Sequence, residues 1–184
     1  MWRHLPNLIT GLRIALVWPV FWLISTGEHA AALVLAAVAG VSDAVDGWLA
    51  KRFGWESRLG GLMDPLADKL LLLAGFTALT VIGVLPVWML ALVIGRDVVI
   101  VFGAIAYHNL IGSFDAQPTR ISKLTTVVQI LLVLAELLRL AWMPGLAGLD
   151  VLLVLCAGLT VLSGLHYVLV WSLRARRAVR EGNR

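Results

Sequence analysis

The sequence predicts an all-α integral membrane protein, a six-transmembrane-helix bundle with both termini cytoplasmic, formed by one domain over residues 1–184. Three observations lead there. Of the residues, 60% are hydrophobic and only 14% charged, and the mean hydropathy is +0.92; a soluble domain cannot keep such a surface in water. The apolar residues fall into six runs, each long enough to cross about 30 Å of hydrocarbon. The basic residues collect at alternate ends of those runs.

The first run is Leu8 to Ser25. Residues Met1 to Pro6 are too short and too mixed for a cleavable signal. Asn7, Thr10 and Arg13 follow at intervals of three and share one face at the mouth of the span. Asn7 as a helix cap and Arg13 snorkelling to the surface are one reading; a phosphate contact is the other.

The second run, Ala30 to Ala50, and the third, Gly60 to Ile82, carry the acids. Asp43 and Asp46 are three apart, and Asp64 and Asp68 four apart, so each pair lies on one helical face. A short loop with Lys51, Arg52 and Arg58 joins the runs and makes them antiparallel neighbours. With Lys51 and Arg58 at the membrane surface, Asp43 lies roughly 12 Å and Asp64 roughly 9 Å in, at similar depth. Gly47 and Ala50 continue the face of the first pair, and Gly60 stands four before Asp64, which permits close approach of a ligand or another helix. Pro65 predicts a kink between the acids of the second pair.

The fourth run, Leu85 to Tyr107, holds Arg96 and Asp97 near its middle, where neither charge is idle in lipid. As sequence neighbours they are expected to project in different directions, and an interhelical pair, with Lys69 joining Asp97, is the plainer account of them. Before the fifth run, Ile121 to Trp142, the segment Gln117-Pro118-Thr119-Arg120-Ile121-Ser122-Lys123 reads as a helix start. Arg120 and Lys123 serve either topology or an anionic headgroup. Gln129 should face protein, and Glu136 and Arg139, three apart, should pair. The sixth run is Leu149 to Leu173, followed by a basic tail expected as a surface helix or frayed end on anionic lipid. Cys156, the only cysteine, reads as packing, and the four histidines show no ligand spacing.

Orientation follows from the connections. One side holds Arg3, Arg13, Lys51, Arg52, Arg58, Arg120, Lys123 and the five arginines of the tail, whereas the loops near Gly27, Gly83 and Gly145 hold none, with Arg139 just before the last. Both termini and the acidic faces are therefore expected on the cytoplasmic side. The net charge of +4 reports topology and anionic lipid rather than nucleic acid.

Four carboxylates meeting at one depth repel one another unless a cation holds them ionised. Oxygen-only ligands suit Mg2+ or Mn2+, and two ions would balance the charge. Helix caps and ion pairs with Lys51, Arg52, Arg58 and Lys69 are the plainer account of any single acid. Clustered toward one face and occurring once, the acids do not suit a cation transporter built on repeats.

The pattern Asp43-x2-Asp46-Gly47-x2-Ala50-Lys51, eight residues, then Gly60-x3-Asp64-x3-Asp68 resembles the signature of the CDP-alcohol phosphotransferase family, membrane enzymes of phospholipid synthesis. Lys51 stands where that family usually carries arginine, which keeps the charge but not the bidentate fork. The resemblance implies that Asp43, Asp46 and Asp64 hold metal and diphosphate, and that Asp68 holds metal and acts as general base. It also implies that Asn7, Thr10, Arg13, Gly47, Ala50, Lys51 and Gly60 surround the nucleotide diphosphate, and that the enzyme is a homodimer. Gly95-Arg96-Asp97-Val98 and Pro118-Thr119-Arg120-Ile121-Ser122-Lys123-x-Thr125-x3-Gln129 resemble a branch of the family, the cardiolipin synthases of eukaryotic type. Related phosphatidylglycerophosphate synthases typically carry a second arginine eight residues after the first, where this chain has Ala104. The expected reaction is transfer of a phosphatidyl group from CDP-diacylglycerol to phosphatidylglycerol, giving cardiolipin and CMP, with Arg96, Arg120 and Lys123 at the acceptor. The alternative acceptor is glycerol 3-phosphate. A bacterial inner membrane is the expected location rather than a mitochondrial one, because no presequence precedes the first run.

Overall fold

A computed structural model describes the backbone of residues 5–53, 58–111 and 119–182, and the side chains of residues 11–42, 66–103, 105 and 119–173. The described residues form six helices: α1 Leu5–Ser25, α2 His29–Phe53, α3 Arg58–Val81, α4 Val87–Ile111, α5 Arg120–Ala141 and α6 Leu149–Gly182. Each matches one of the six apolar runs to within a few residues at either end, apart from the C-terminal end of α6. α3 is continuous through Pro65. α6 is 34 residues long, about 51 Å, and carries the basic tail as a continuation of its own helix as far as Gly182.

Two helix ends show why the chain turns where it does. At the end of α1, Gly27 adopts φ +89°, the Glu28 N–H donates to the Leu23 carbonyl and the Gly27 N–H to that of Ile24. At the end of α3, Gly83 adopts φ +77°, with Val84 N–H on Leu79 O and Gly83 N–H on Thr80 O. Both are Schellman caps, which glycine satisfies without strain. The start of α5 is capped from the other direction: Thr119 Oγ1 accepts the Ser122 N–H at 3.3 Å, as the sequence reading of a helix start requires.

Contacts divide the chain into two compact units. The first holds residues 1–86 and 130–149. Here α1 packs on both α3 and α2, and the buried residues are mostly small where helices meet: Ala32, Ala39, Ala67, Ala74 and Ala78, with Ile24, Phe76, Leu79 and Leu137 filling the remaining space. Arg139 Nε donates to Glu136 Oε2 at 2.8 Å, the pairing expected from their spacing. α3 comes close to the second half of α5 at Gly75, where an added methyl would stand 2.9 Å from Val133 Cγ1. Since valine has little freedom at χ1, Gly75→Ala is expected to lower thermal stability in detergent by about 1–3 kcal/mol, less a partial gain in helix propensity. The double variant Gly75→Ala/Val133→Ala should recover most of the loss; an equally unstable double variant would refute the contact.

The second unit holds residues 87–129 and 150–184. A buried polar seam joins α5 to α6: Thr125 Oγ1 donates to the Leu159 carbonyl at 3.2 Å and Gln129 Nε2 to Thr160 Oγ1 at 3.1 Å. Gln129 faces protein, as expected. Tyr167 accepts the Thr119 N–H at 3.3 Å, so α6 also supports the start of α5.

Large apolar side chains cover the outside of the helices, among them Phe102, Val151, Val154 and Leu169, each more than 60% exposed. That surface suits hydrocarbon rather than water. Among the described residues, Arg120–Ala141 and Leu149–Leu173 are each long and apolar enough to cross a membrane. Exposed tryptophans stand near helix ends that adjoin the loops without Lys or Arg: Trp18 and Trp22 on α1, Trp88 on α4 and Trp142 after α5. Such placement is typical of a membrane interface.

Candidate functional site

Both pairs of acids fall on helical backbone. α2 is helical through Asp43, Asp46, Gly47, Ala50 and Lys51, and α3 through Gly60, Asp64 and Asp68. At about 100° per residue, the first four of these share one face of α2, and the last three form one stripe on α3. Asn7 and Thr10 lie in the first turns of α1, on the side of the helix that carries Arg13. The side chains of Asn7, Thr10, Asp43, Asp46, Gly47, Ala50, Lys51, Gly60 and Asp64 lie outside the described residues.

Arg13 and Asp68 are described, and they meet. Arg13 Nη1 donates to Asp68 Oδ1 at 2.7 Å, which ties α1 to α3 across 55 residues of sequence. The two partners differ in environment: the Arg13 side chain is 4% exposed, that of Asp68 48%. A buried guanidinium therefore meets a half-exposed carboxylate. This is a charge-assisted bond inside an apolar protein, stronger than its counterpart in water.

The second group of candidates lies in the other unit. Arg96 on α4 is 7% exposed. Its Nη1 donates to Asp97 Oδ1 at 2.6 Å, its Nε and Nη2 to Ser163 Oγ at 3.4 and 3.2 Å, and Nη2 also to Ser122 Oγ. The expectation that Arg96 and Asp97 diverge is corrected here, because the long arginine side chain folds back on its sequence neighbour. Its contacts to other helices are hydroxyls rather than acids. Arg120 and Lys123 are exposed in the first turn of α5 and flank Ser122, which turns inward.

Ser163 was not foreseen as part of this cluster, nor were Thr160 and Tyr167. The available signal is their spacing: three polar residues at intervals of three and four make a stripe along an otherwise apolar helix. Among the described residues no group of three or more His, Cys, Asp or Glu side chains could hold a metal. The expected ligand set has only Asp68 within that range. The donor chemistry nevertheless fits a hard divalent cation, since the acids on the two faces offer oxygen alone.

Comparison with known proteins gives the following. The model of the CDP-alcohol phosphatidyltransferase family matches residues 3–171. The rat cardiolipin synthase (CMP-forming) is 33% identical over 72% of this chain and 49% of its own length. A Mycobacterium tuberculosis protein named "Probable phosphatidylglycerophosphate synthase" is 38% identical over 51% of this chain and 48% of its own. The rice chloroplastic CDP-diacylglycerol–glycerol-3-phosphate 3-phosphatidyltransferase 1 is 33% identical over 74% of this chain and 46% of its own. The aligned region thus spans about half the length of each of these relatives.

Proposed function

Since the chain belongs to the CDP-alcohol phosphatidyltransferase family, a family of transferases, we propose that it moves a phosphatidyl group from CDP-diacylglycerol to phosphatidylglycerol, giving cardiolipin and CMP. The observation that carries the reading is the Arg13–Asp68 pair at 2.7 Å, which joins α1 to the acidic stripe of α3 at a half-exposed carboxylate. In this reading all six helices span the membrane, with both termini and the site on the cytoplasmic side. The location is a bacterial inner membrane rather than a mitochondrial one, and the enzyme works as a homodimer.

Asp43, Asp46, Asp64 and Asp68 would hold two Mg2+ or Mn2+ ions, whose chemistry when bound is to offset charge on the diphosphate and its leaving group. Arg13 holds the Asp68 carboxylate through Oδ1 and so helps to orient it. The acceptor hydroxyl attacks the phosphorus of the phosphatidyl group in line with the bond to CMP. Asp68 takes the hydroxyl proton as the new P–O bond forms, and CMP leaves with the electron pair of the old one. Asn7, Thr10, Gly47, Ala50, Lys51 and Gly60 line the nucleotide diphosphate. Arg96, Arg120 and Lys123 receive the acceptor.

Glycerol 3-phosphate is the second acceptor to consider, and the name of the rice relative favours it. Against it stands Ala104, at the position where a second cation would help to hold a phosphomonoester. Purified protein given CDP-diacylglycerol with either acceptor separates the two. Cardiolipin from phosphatidylglycerol is the expected product; phosphatidylglycerophosphate alone would replace the acceptor and leave the donor unchanged. No CMP with either acceptor would refute the transferase reading.

A further inference from the structure

We propose that Ser163, on α6, is a positioning residue for the acceptor, acting through Arg96; this rests on the phosphatidyl-transfer reading above. Ser163 is wholly buried, and its hydroxyl receives two N–H groups from one edge of the Arg96 guanidinium, at 3.4 and 3.2 Å. Ser122 takes the other Nη2 proton from α5, and Asp97 takes one Nη1 proton from α4 itself. Of the five N–H donors of an arginine, four are thus engaged. The fifth, on Nη1, has no acceptor among the described residues.

Helix packing alone does not call for this arrangement. A guanidinium removed from water inside an apolar protein is costly, and well-packed apolar residues join helices as well or better. The hydroxyls do something an apolar contact cannot: they fix the plane of the guanidinium before any ligand arrives. A planar fork held in this way presents its remaining N–H in one direction, so an oxyanion of the acceptor is met without ordering a long flexible side chain. Ser163 makes the larger contribution because it grips two of the N–H groups at once. The stem of Arg96 runs along Gly164, where an added methyl would be in ordinary contact with Cγ at 3.9 Å.

The test compares wild-type protein with Ser163→Ala and Ser163→Thr in the same detergent or liposome assay. KM is measured for CDP-diacylglycerol, for phosphatidylglycerol and for glycerol 3-phosphate, together with kcat and the melting temperature. Ser163→Ala is expected to raise the KM of the acceptor that is used by about tenfold, as loss of a hydrogen bond to a charged group implies. The donor KM should stay within about twofold, and Ser163→Thr should restore the acceptor KM. Unchanged KM values with a lower melting temperature would overturn the proposal and make Ser163 a structural brace; no change in any parameter would overturn it as well. Should Ser163→Ala fail to fold, Ser122→Ala tests the anchoring of the same guanidinium through its other Nη2 proton and must raise the acceptor KM selectively. Wild-type protein that transfers to neither acceptor would instead remove the parent reading, and this proposal with it.

Discussion

Asp68→Asn is expected to lower phosphatidyl transfer by a factor of about 10²–10⁴, the range over which a positioned general base acts. Its effect on the fold should be small. Asparagine has the shape of aspartate, and its carbonyl oxygen can still accept the Arg13 Nη1–H bond that now measures 2.7 Å to Asp68 Oδ1. The junction between α1 and α3 is thereby preserved, while the negative charge and the capacity to take a proton are lost. Turnover by the variant and its melting temperature in detergent check both halves of the statement. A well-folded variant with near-normal turnover would remove Asp68 from the role of base. A variant that fails to fold would show instead that Arg13, 4% exposed, needs a full charge opposite it, as breaking a buried pair often does.

Removing divalent cations should abolish the reaction altogether. Asp43 and Asp46 share a face of α2, and Asp64 and Asp68 a stripe of α3, so four like charges are concentrated on two neighbouring segments of the chain. Without cations they would repel, and the diphosphate of the donor would add to the repulsion. Treatment with EDTA is expected to stop CMP release, and Mg2+ or Mn2+ to restore it, with Ca2+ less effective because it accepts looser geometry. The melting temperature gives a readout independent of activity: it should rise when Mg2+ or Mn2+ is added to stripped protein, and rise less in Asp43→Asn and Asp64→Asn. Full turnover in EDTA would disprove the metal site.

Much of this protein is determined by local sequence. The six apolar runs give the six helices, because a helix satisfies the backbone groups of an apolar run within the run itself. Gly27 and Gly83 end α1 and α3 because a left-handed residue is needed there, and glycine alone adopts it without strain. The faces of Asp43 and Asp46 and of Asp64 and Asp68 follow from spacing once the helices exist. So does the Glu136–Arg139 pair, whose members are one turn apart.

What the tertiary structure alone decided are the pairings between helices. Helices that are apolar almost all round show no strong stripe to reveal which side turns inward, and spacing within one helix says nothing of its partner on another. The Arg13–Asp68 bond spans 55 residues of sequence, and it exists because α1 packs against α3. Arg96 folds back on Asp97 and takes hydroxyls from α5 and α6 because those helices present Ser122 and Ser163 to it in the folded unit. A buried cation must find acceptors within reach of its own side chain, and that reach is set by the packing of helices rather than by the order of residues along any one of them.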